Sequence, residues 1–346
     1  MTTHWTDFLQ SCGARFSDGR ISDFGDLPGE LMAARNDLVL ADLSHWGLIG
    51  FSGEEAQTFL HGQITNDLRG LVPDRAVFAA YCSAKGRMLA NLLVFKRGDD
   101  VLVMLPETVR ETVQKRLTMF ILRAKVKARN AGEEWVRLGL SGPGAEALLA
   151  ATSGLLPAAG IMAVAQADSA FAVRLGSERF DIFVSPEKAP SLWEKLADKA
   201  RPVSSGAWDW LMVDGGIPSV VPETQDQFVP QMANMADLHG ISFTKGCYPG
   251  QEIVARTQYL GKQKRRMYLA HVETEAKAGE PVFSPEFGVQ SAGMVANAAP
   301  APGGGSDLLV VMQISSFEGG NVRLASPDGA QLAFRPLPYP VAESAA

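Results

Sequence analysis

The chain has 346 residues, of which 46% are hydrophobic and 20% are charged, and its net charge is −6. This composition excludes a disordered chain, and no run approaches the roughly 18 apolar residues of a membrane span. The acidic balance argues against nucleic-acid binding over the whole surface, although local basic segments remain possible.

Three cysteines, at positions 12, 82 and 247, cannot all pair with one another. Neither they nor the five histidines show the spacing of a zinc or redox motif, so the sequence predicts no metal site. The N-terminal segment MTTHWTDFLQSCGARFSDG lacks the basic start and apolar core of a signal peptide. These features predict a cytoplasmic protein with reduced thiols and no membrane partner.

Two segments of the chain resemble each other. They are GFSGEEAQTFL, residues 50–60, and GLSGPGAEALL, residues 139–149. Each follows a strand-like run and enters a helix-like run after a Ser-Gly turn, so both predict a strand, a turn and a helix in that order. The shared element order favours a duplicated unit over a chance match.

Strand and helix signals follow the first copy. VFAAYCS, RMLANLLVFK and VLVML predict three successive strands. Residues 107–121 predict an amphipathic helix, because apolar residues recur along one stripe. The members of this stripe are Val109, Val113, Leu117, Phe120 and Ile121.

Two basic segments could bind an anion. RAKVKAR, residues 123–129, alternates in charge, so a strand there would place four cations on one face: Arg123, Lys125, Lys127 and Arg129. A second cluster comprises Lys262, Lys264, Arg265 and Arg266. Such runs are either a solvated edge that discourages strand pairing, or a site for a polycarboxylate tail or a phosphate backbone.

The second copy leads to strand-like FAVRLG and ERFDIFV, to a helix near residues 187–200, and to the short helix GAWDWLMVDGG. Trp208 in that helix, like Trp46 before the first copy, is either a core residue or a platform for a planar heterocycle. Asp214, near the end of the helix, could accept hydrogen bonds from ring N–H groups of such a ligand.

The segment FTKGCYPGQEIVART, residues 243–257, sets Cys247 among turn-forming residues. Residues 251–259 read as the first turns of a helix, so the thiol would lie just before a helix N-terminus and beside Lys245. Both features favour a thiolate, which makes Cys247 the candidate reactive thiol and Lys245 its helper.

From about residue 263 the chain alternates short apolar runs with Gly, Pro, Asn and Asp clusters, which is typical of a small antiparallel barrel. The predicted fold class is therefore α+β, with two ferredoxin-like units and a C-terminal antiparallel β-barrel. The predicted domains are residues 1–131, residues 132–262 ending in KGCYPGQE, and residues 263–346. The first two can exchange segments.

The strings KGCYPGQE, QFVPQMANMADLHGISF and FLHGQITNDL closely resemble the YgfZ family of folate-binding proteins, which are related to the glycine-cleavage T protein, an aminomethyltransferase. The resemblance runs from about residue 43 to residue 339. It implies three domains around a central hole that receives tetrahydrofolate or a polyglutamylated derivative. It also implies a role in the maturation or repair of iron–sulfur enzymes, including tRNA-modifying ones.

The resemblance assigns site residues by position. The pterin-contacting tryptophans correspond to Trp46 and Trp208, and the acidic residue that binds the pterin in the T protein is similar in place to Asp214, although a glutamate is usual there. Cys247 and Lys245 fall on the reactive motif. The remaining candidate folate-binding residues of the motif are Tyr248, Gln251 and Glu252. The basic segment adds Arg123 and Lys125 as candidates for binding the carboxylate tail of a folate.

One departure bears on activity, because aminomethyltransferases carry two acids where this chain has Ala90 and Asn91. An amide cannot assist proton movement as a carboxylate does, so we do not expect an active aminomethyltransferase. The leading hypothesis is a folate-binding accessory protein for iron–sulfur client enzymes or assembly factors. The alternatives are a folate-dependent one-carbon transferase that uses a different acid, and an RNA-binding module that uses the basic segments, although nucleic acid is not an expected partner.

Overall fold

The computed structural model describes residues 3–341 except residues 260 and 262, so Lys262 of the second basic cluster lies outside the described residues. Elements are numbered in chain order. The helices of the described part are α1 Thr3–Ser11, α2 Leu27–Asn36, α3 Ala56–His61, α4 Glu107–Met119, α5 Ala145–Ser153, α6 Ala189–Ala197, α7 Ser205–Asp214, α8 Gln251–Tyr259 and α9 Ile314–Gly319. The strands are β1 Arg15–Ser17, β2 Arg20–Asp23, β3 Val39–Asp42, β4 Trp46–Ser52, β5 Val77–Cys82, β6 Met88–Arg97, β7 Asp100–Pro106, β8 Lys127–Asn130, β9 Val136–Ser141, β10 Val164–Ala167, β11 Ala170–Gly176, β12 Arg179–Val184, β13 Arg201–Val203, β14 Arg265–Val272, β15 Pro281–Phe283, β16 Gly293–Pro300, β17 Ser306–Gln313, β18 Arg323–Leu324 and β19 Ala333–Arg335.

The chain divides into two compact units, each made of three chain segments. The first unit comprises Met1–Gln57, Gly70–Val77 and Leu93–Trp208. The second unit comprises Thr58–Arg69, Phe78–Leu92 and Asp209–Ala346.

The first unit contains a six-stranded sheet of order β10-β11-β12-β9-β3-β13, and among its described residues only the β13–β3 pair is parallel. One face of this sheet packs against helices through a large apolar core that includes Leu140, Phe180 and Trp193. The other face carries stacked aromatic rings, with the Phe171 and Phe183 centroids 4.4 Å apart. The unit also contains strands of a second sheet, in which the last residues of β6 pair with β7, β7 pairs with β4, and β4 pairs with β8.

The two sequence repeats have the same turn geometry. β4 leads into α3 and β9 leads into α5, as predicted, and the turns contain Gly53 at φ +112° and Gly142 at φ +117°. A Cβ on Gly53 would lie 2.1 Å from the carbonyl oxygen of Lys125, and one on Gly142 would lie 2.0 Å from that of Asp37. Glycine is therefore required at both turns, because no side chain fits between the turn and the neighbouring backbone.

The second unit contains a six-stranded sheet of order β18-β15-β16-β17-β14-β19, and each pair of neighbouring strands in it is antiparallel. An apolar core that includes Val295, Leu308 and Val310 lies against one face. The unit also holds the hairpin formed by the last residues of β5 and the first residues of β6, which closes with a hydrogen bond from Ser83 N–H to Arg87 O. An antiparallel C-terminal region is therefore confirmed.

The amphipathic helix predicted for residues 107–121 is present as α4, with Val109, Val113 and Leu117 buried. It ends at Met119, and Phe120, predicted to lie on the buried stripe, is 45% exposed. The α+β class, α7 and α8 also agree with prediction. Among the described residues no helix is long and apolar enough to cross a membrane.

The predicted basic strand RAKVKAR is wrong over its first half, because β8 begins only at Lys127. Leu122 adopts φ +47°, which turns the chain, and the Lys125 N–H donates to the Glu55 carboxylate rather than to a neighbouring strand. The four cations therefore do not form the single strand face that the alternation predicts.

Candidate functional site

Cys247 is exposed in the segment that precedes α8. Gly250 behind it has φ +79°, and a Cβ there would lie 2.4 Å from Ser83 O and 2.6 Å from Gly86 Cα. A Cβ on Gly86 would in turn lie 2.7 Å from Ile253 Cβ. The β5–β6 hairpin thus packs directly on the Pro-Gly bend, and this contact fixes the backbone that presents the thiol.

Lys245 anchors the same segment. Its Nζ donates to the carbonyl oxygens of His61 and Ile64, the latter at 2.6 Å, and lies 4.8 Å from the centroid of the Tyr248 ring. Burial lowers the pKa of Lys245 to about 8. Its hydrogen bonds hold the segment against residues 61–64, so the side chain contributes to Cys247 by position and by charge rather than as a free base.

The other residues predicted from the KGCYPGQE motif have identifiable positions. Burial, together with the Cys82 thiol, raises the pKa of Tyr248. Gln251 Oε1 accepts the backbone N–H of Tyr248 at 3.2 Å and so closes the bend at the start of α8. Glu252 is exposed in the first helical turn, where a carboxylate is favourable to the helix dipole. Direct folate contact by these three residues stays a prediction.

The other two thiols are poor nucleophiles at neutral pH. Partial burial raises the pKa of Cys12, and full burial in β5 raises that of Cys82 to about 12. Within residues 3–341, leaving out 260 and 262, no group of three or more His, Cys, Asp or Glu side chains could hold a metal ion.

The two predicted tryptophans both lie in the first unit and are buried. Trp208 is 1% exposed, and its ring lies on Gly139, where a Cβ would come within 2.5 Å of the ring. Trp46, at the start of β4, is 7% exposed, and its indole N–H is buried without a hydrogen-bond acceptor among the described residues. A buried donor without an acceptor is uncommon and has to be explained.

Asp181 on β12 is a second buried polar group without a partner, and the sequence did not single it out. It is 1% exposed, and neither carboxylate oxygen has a hydrogen-bond partner in the described part of the chain. It lies directly opposite Gly139 on β9, so its side chain is on the sheet face that the Trp208 ring covers. Burial raises its pKa to about 7, against the opposing charge of Arg179.

The predicted pterin acceptor Asp214 has a different environment. It lies at the end of α7 in the second unit, with its side chain 40% exposed, and its carboxylate is 3.4 Å from the Arg335 guanidinium. That guanidinium also contacts the buried Asp307 at 2.7 Å. Asp214 is therefore committed to an ion pair, whereas Asp181 has acceptors that no described residue uses. The role predicted for Asp214 stays a prediction.

The basic segment divides into paired and unpaired cations. Lys125 contacts Glu54 at 2.9 Å, and Arg129 contacts Asp100 and Glu134, both at 2.6 Å. Arg123 and Lys127 have no ion-pair partner within the described ranges 3–259, 261 and 263–341. Any anion site on this segment thus depends first on Arg123 and Lys127.

Sequence comparison relates the chain to known proteins. Residues 20–240 match the GCVT N-terminal domain. The tRNA-modifying protein YgfZ of Yersinia enterocolitica is 37% identical over 239 residues, which is 69% of this chain and 72% of that protein. The chain belongs to the YgfZ family. The YgfZ protein of Serratia proteamaculans is 32% identical over 314 residues, which is 88% of this chain and 94% of that protein.

The fold agrees with this membership. The aminomethyltransferase T of the glycine cleavage system from Bartonella henselae superimposes with a TM-score of 0.78 over 98% of this chain and 97% of that chain, at 19% identity. At this identity the match establishes a shared α+β fold and nothing about activity. The YgfZ resemblance predicted from KGCYPGQE is confirmed.

In this YgfZ-family chain, Asn91 has a structural role. It is 2% exposed, its Nδ2 donates to Pro218 O at 2.6 Å, and its Oδ1 accepts the Val220 N–H at 2.7 Å. Asn297 holds the intervening Ser219 in the same way, through its N–H and its carbonyl. Two asparagine amides thus clamp residues 218–220, and neither end of the Asn91 amide is free for chemistry.

We expect Asn91→Asp to destabilise the protein by about 2–4 kcal/mol at pH 8, because a buried carboxylate would face the Pro218 carbonyl without a donor. The loss should shrink at pH 5, where a protonated carboxyl can donate to that carbonyl. Urea unfolding at the two pH values measures both effects. Asn297→Asp, at the partly exposed clamp, is the control and should lose less; equal stability of Asn91→Asp and the natural chain at pH 8 would contradict the clamp.

Proposed function

We propose that this protein is a cytoplasmic, tetrahydrofolate-binding accessory factor that supports the maturation or repair of iron–sulfur enzymes, including tRNA-modifying ones. The observation that carries the folate part is Asp181, a fully buried carboxylate without a hydrogen-bond partner among the described residues. The tRNA part is supported by the name tRNA-modifying protein given to the YgfZ relatives. The ferredoxin-like units, the closed C-terminal barrel and the central folate hole implied by the family belong to this proposal.

The unpartnered groups of the first unit fit a pterin. Its amino-pyrimidine edge has adjacent N–H donors, which match the two acceptor oxygens of the Asp181 carboxylate. Its ring carbonyl can accept the unused indole N–H of Trp46. Asp181 would therefore hold the pterin edge, with the Trp208 ring beside it as an apolar wall, and Trp46 is a second candidate donor. Bound tetrahydrofolate would supply one-carbon or redox chemistry.

Cys247 is the proposed reactive sulfur of the accessory function. It is exposed, and its backbone is fixed by the packed hairpin and by Lys245. The raised pKa values of Cys12 and Cys82 leave those thiols protonated at neutral pH. The protein thus presents a single favourable thiol to a client enzyme or to an assembly factor.

Aminomethyl transfer is not part of the proposal, because Asn91 occupies the position of the T protein's second acid and uses both ends of its amide for the clamp. A side-chain amide such as that of Asn91 cannot give or accept a proton during methylene transfer, as a carboxylate can.

Titration with tetrahydrofolate, followed by tryptophan fluorescence, tests the proposal against its alternatives. Saturable quenching without turnover of a methylamine donor is the expected result. Turnover would favour a one-carbon transferase, and salt-sensitive tRNA binding without folate binding would favour an RNA-binding module.

Trp46→Phe should weaken tetrahydrofolate binding about 5- to 20-fold, because one hydrogen bond and part of an aromatic contact are lost. The stability of the free protein should hardly change, since the removed N–H has no acceptor in the described part of the chain. Calorimetry and thermal unfolding measure the two effects. Trp5→Phe is the matched control: its indole N–H is donated to Asp42 at 2.8 Å, so it should lose stability and keep its folate affinity. The reverse pattern would remove Trp46 from the site.

Polyglutamylated folate should bind more tightly than the monoglutamate if the unpaired Arg123 and Lys127 contact the tail. We expect a gain of about three- to tenfold at low salt, which falls as added salt screens the charges. The double variant Arg123→Gln, Lys127→Gln should lose the gain and keep its affinity for the monoglutamate. Equal binding of both folate forms at low salt would leave these cations as a solvated edge.

A further inference from the structure

A cavity of about 190 Å³ lies beside the edge strand β18 of the C-terminal sheet, within the second unit. Two of its lining residues, Phe283 and Arg323, come from β15 and β18, and the adjoining loops add Pro285, Asn321 and Pro327. We call it the β15–β18 cavity. None of these residues belongs to the folate or thiol proposals, so the cavity is a candidate site for a second ligand.

Strand pairing places an aromatic ring and a cation side by side in this cavity. Phe283 on β15 lies directly opposite Arg323 on β18, and the next pair, Val282 and Leu324, is buried in the apolar core of the unit. Because side chains alternate between the two faces of a strand, Phe283 and Arg323 project together from the face away from that core. Directly opposite residues have Cβ atoms about 5 Å apart, so the ring and the guanidinium can contact one small ligand together.

Arg323 is held by one hydrogen bond, and the rest of its guanidinium is available. Its Nη1 donates to the carbonyl oxygen of Gly329 at 2.9 Å, which fixes the side chain against the loop that follows β18. Within residues 3–259, 261 and 263–341, no carboxylate forms an ion pair with Arg323, and Nε and Nη2 have no acceptor. Adjacent N–H groups of a fixed guanidinium bind a carboxylate through two parallel hydrogen bonds.

The electrostatics of the cavity favour an anion with one charge. Among the described residues that line it, Arg323 is the one with a charged side chain. The acid of the lining segment, Glu286, lies over Gly319 of α9, and a hydrogen bond from the Ser284 side chain lowers its pKa. A single guanidinium balances one carboxylate, whereas a phosphate monoester carries between about 1.5 and 2 negative charges at neutral pH.

The walls and the size of the cavity favour a flat ligand with one ring. Pro285 and Pro327 supply rigid apolar walls beside the Phe283 ring, and the Asn321 amide supplies a polar group at the rim. The volume corresponds to about six water molecules. It is below the roughly 300 Å³ at which pockets for drug-sized ligands begin, so a molecule with several rings does not fit.

We propose that the β15–β18 cavity binds a small aromatic carboxylate. The carboxylate would accept two hydrogen bonds from the free edge of Arg323, and the ring of the ligand would pack on Phe283 between the two prolines. This inference goes beyond the proposed function, because the cavity is built entirely from the C-terminal sheet and its loops.

Titration of the full-length protein with 4-fluorobenzoate, followed by fluorine-19 NMR of the ligand, tests the site. We expect saturable binding with half-saturation at about 1 mM, as is typical of a ligand with a single ring. Arg323→Gln should weaken binding about tenfold or more, because both hydrogen bonds to the carboxylate are lost. Arg256→Gln is the matched control, since it removes an exposed arginine of the same unit on α8, and it should leave the affinity unchanged.

The absence of saturable binding up to about 10 mM would overturn the proposal, because even a weak single-ring ligand is bound at that concentration. Equal weakening in Arg323→Gln and Arg256→Gln would also overturn it, since the effect would then come from net charge. Displacement of 4-fluorobenzoate by inorganic phosphate at a lower concentration than by benzoate would overturn the choice of a carboxylate.

The natural chain decides the matter if Arg323→Gln does not fold. 4-Fluorobenzamide has the same ring without the charge, and we expect it to bind about tenfold more weakly than 4-fluorobenzoate. The backbone NMR signals that move on addition of benzoate should come from residues 283–288 and 321–329. Equal binding of the acid and the amide, or movement of signals only elsewhere, would contradict the site. None of these measurements involves folate or Cys247, so their failure leaves the proposed function unaffected.

Discussion

We expect Asp181→Asn to be more stable than the natural chain at pH 8 and to lose tetrahydrofolate binding. The folded-state pKa of Asp181, about 7, lies above the ordinary value of 3.8, so the folded protein holds the proton more tightly than the unfolded chain. The contribution of Asp181 to stability is therefore fully present below pH 3.8 and is lost as the pH rises through about 7, by on the order of 4 kcal/mol. An amide does not ionise, so the variant should avoid this loss.

Thermal unfolding at pH 5 and pH 8 measures the stability half of the prediction. The natural chain should lose several degrees relative to the variant at the higher pH. Asp42→Asn is the matched control, because Asp42 is also buried but accepts hydrogen bonds from Trp5 and Ser44. It should be less stable than the natural chain. A loss of stability in Asp181→Asn as well would mean that the carboxylate is satisfied in the free protein.

Asp181→Asn should weaken tetrahydrofolate binding, although it should raise the stability of the protein at pH 8. An asparagine presents one acceptor and one donor where the pterin edge presents two donors, so affinity should fall about 100-fold, which is on the order of 3 kcal/mol. Binding to the natural chain should strengthen from pH 6 to pH 8 as the carboxylate ionises, whereas the variant should show no such trend. Calorimetry at several pH values gives both results. Unchanged affinity in Asp181→Asn would remove this residue from the folate site.

The local elements were predictable from the sequence because local patterns determine them. The Pro-Gly bend and the polar start of α8 predict the bounds Gln251–Tyr259, and the Ser-Gly pairs predict both repeat turns. The prediction of a strand over RAKVKAR was wrong because the chain turns at Leu122, just before this segment. Leu122 has a left-handed backbone conformation, which the pattern of apolar and charged residues does not indicate.

The site was less predictable because its contacts are between distant segments. Lys245 bonds to residues 61 and 64, a contact that no spacing in the chain reveals. Asp181 did leave a signal: it is the acid inside the run RFDIFV, and an acid in a strand buried on both faces is uncommon. The sequence cannot say, however, that both its oxygens lack hydrogen-bond partners among the described residues.

Cys247→Ala should abolish the maturation of iron–sulfur client enzymes while leaving tetrahydrofolate affinity and thermal stability unchanged. The side chain is exposed, so its removal creates no cavity, and the bend is held by Gly250 packing and by Lys245 rather than by the sulfur. The measurement is the level of a tRNA modification that depends on an iron–sulfur enzyme, in cells whose own YgfZ protein is replaced by the variant.

Cysteine replacements elsewhere in the chain supply the controls. Cys12→Ala should support the modification fully, whereas Cys82→Ala, which opens a small cavity in β5, should lose stability and keep function.

Cys247 should also react with iodoacetamide at least tenfold faster than Cys12 at pH 7, and Cys82 should react only after unfolding, because a thiol with a pKa of about 12 is almost entirely protonated. Full modification in the Cys247→Ala cells would make KGCYPGQE a structural bend. If Cys247→Ala loses both the tRNA modification and folate binding, the thiol belongs to the folate site. The proposed action of Cys247 on a client enzyme is supported only if the modification is lost while folate binding is kept.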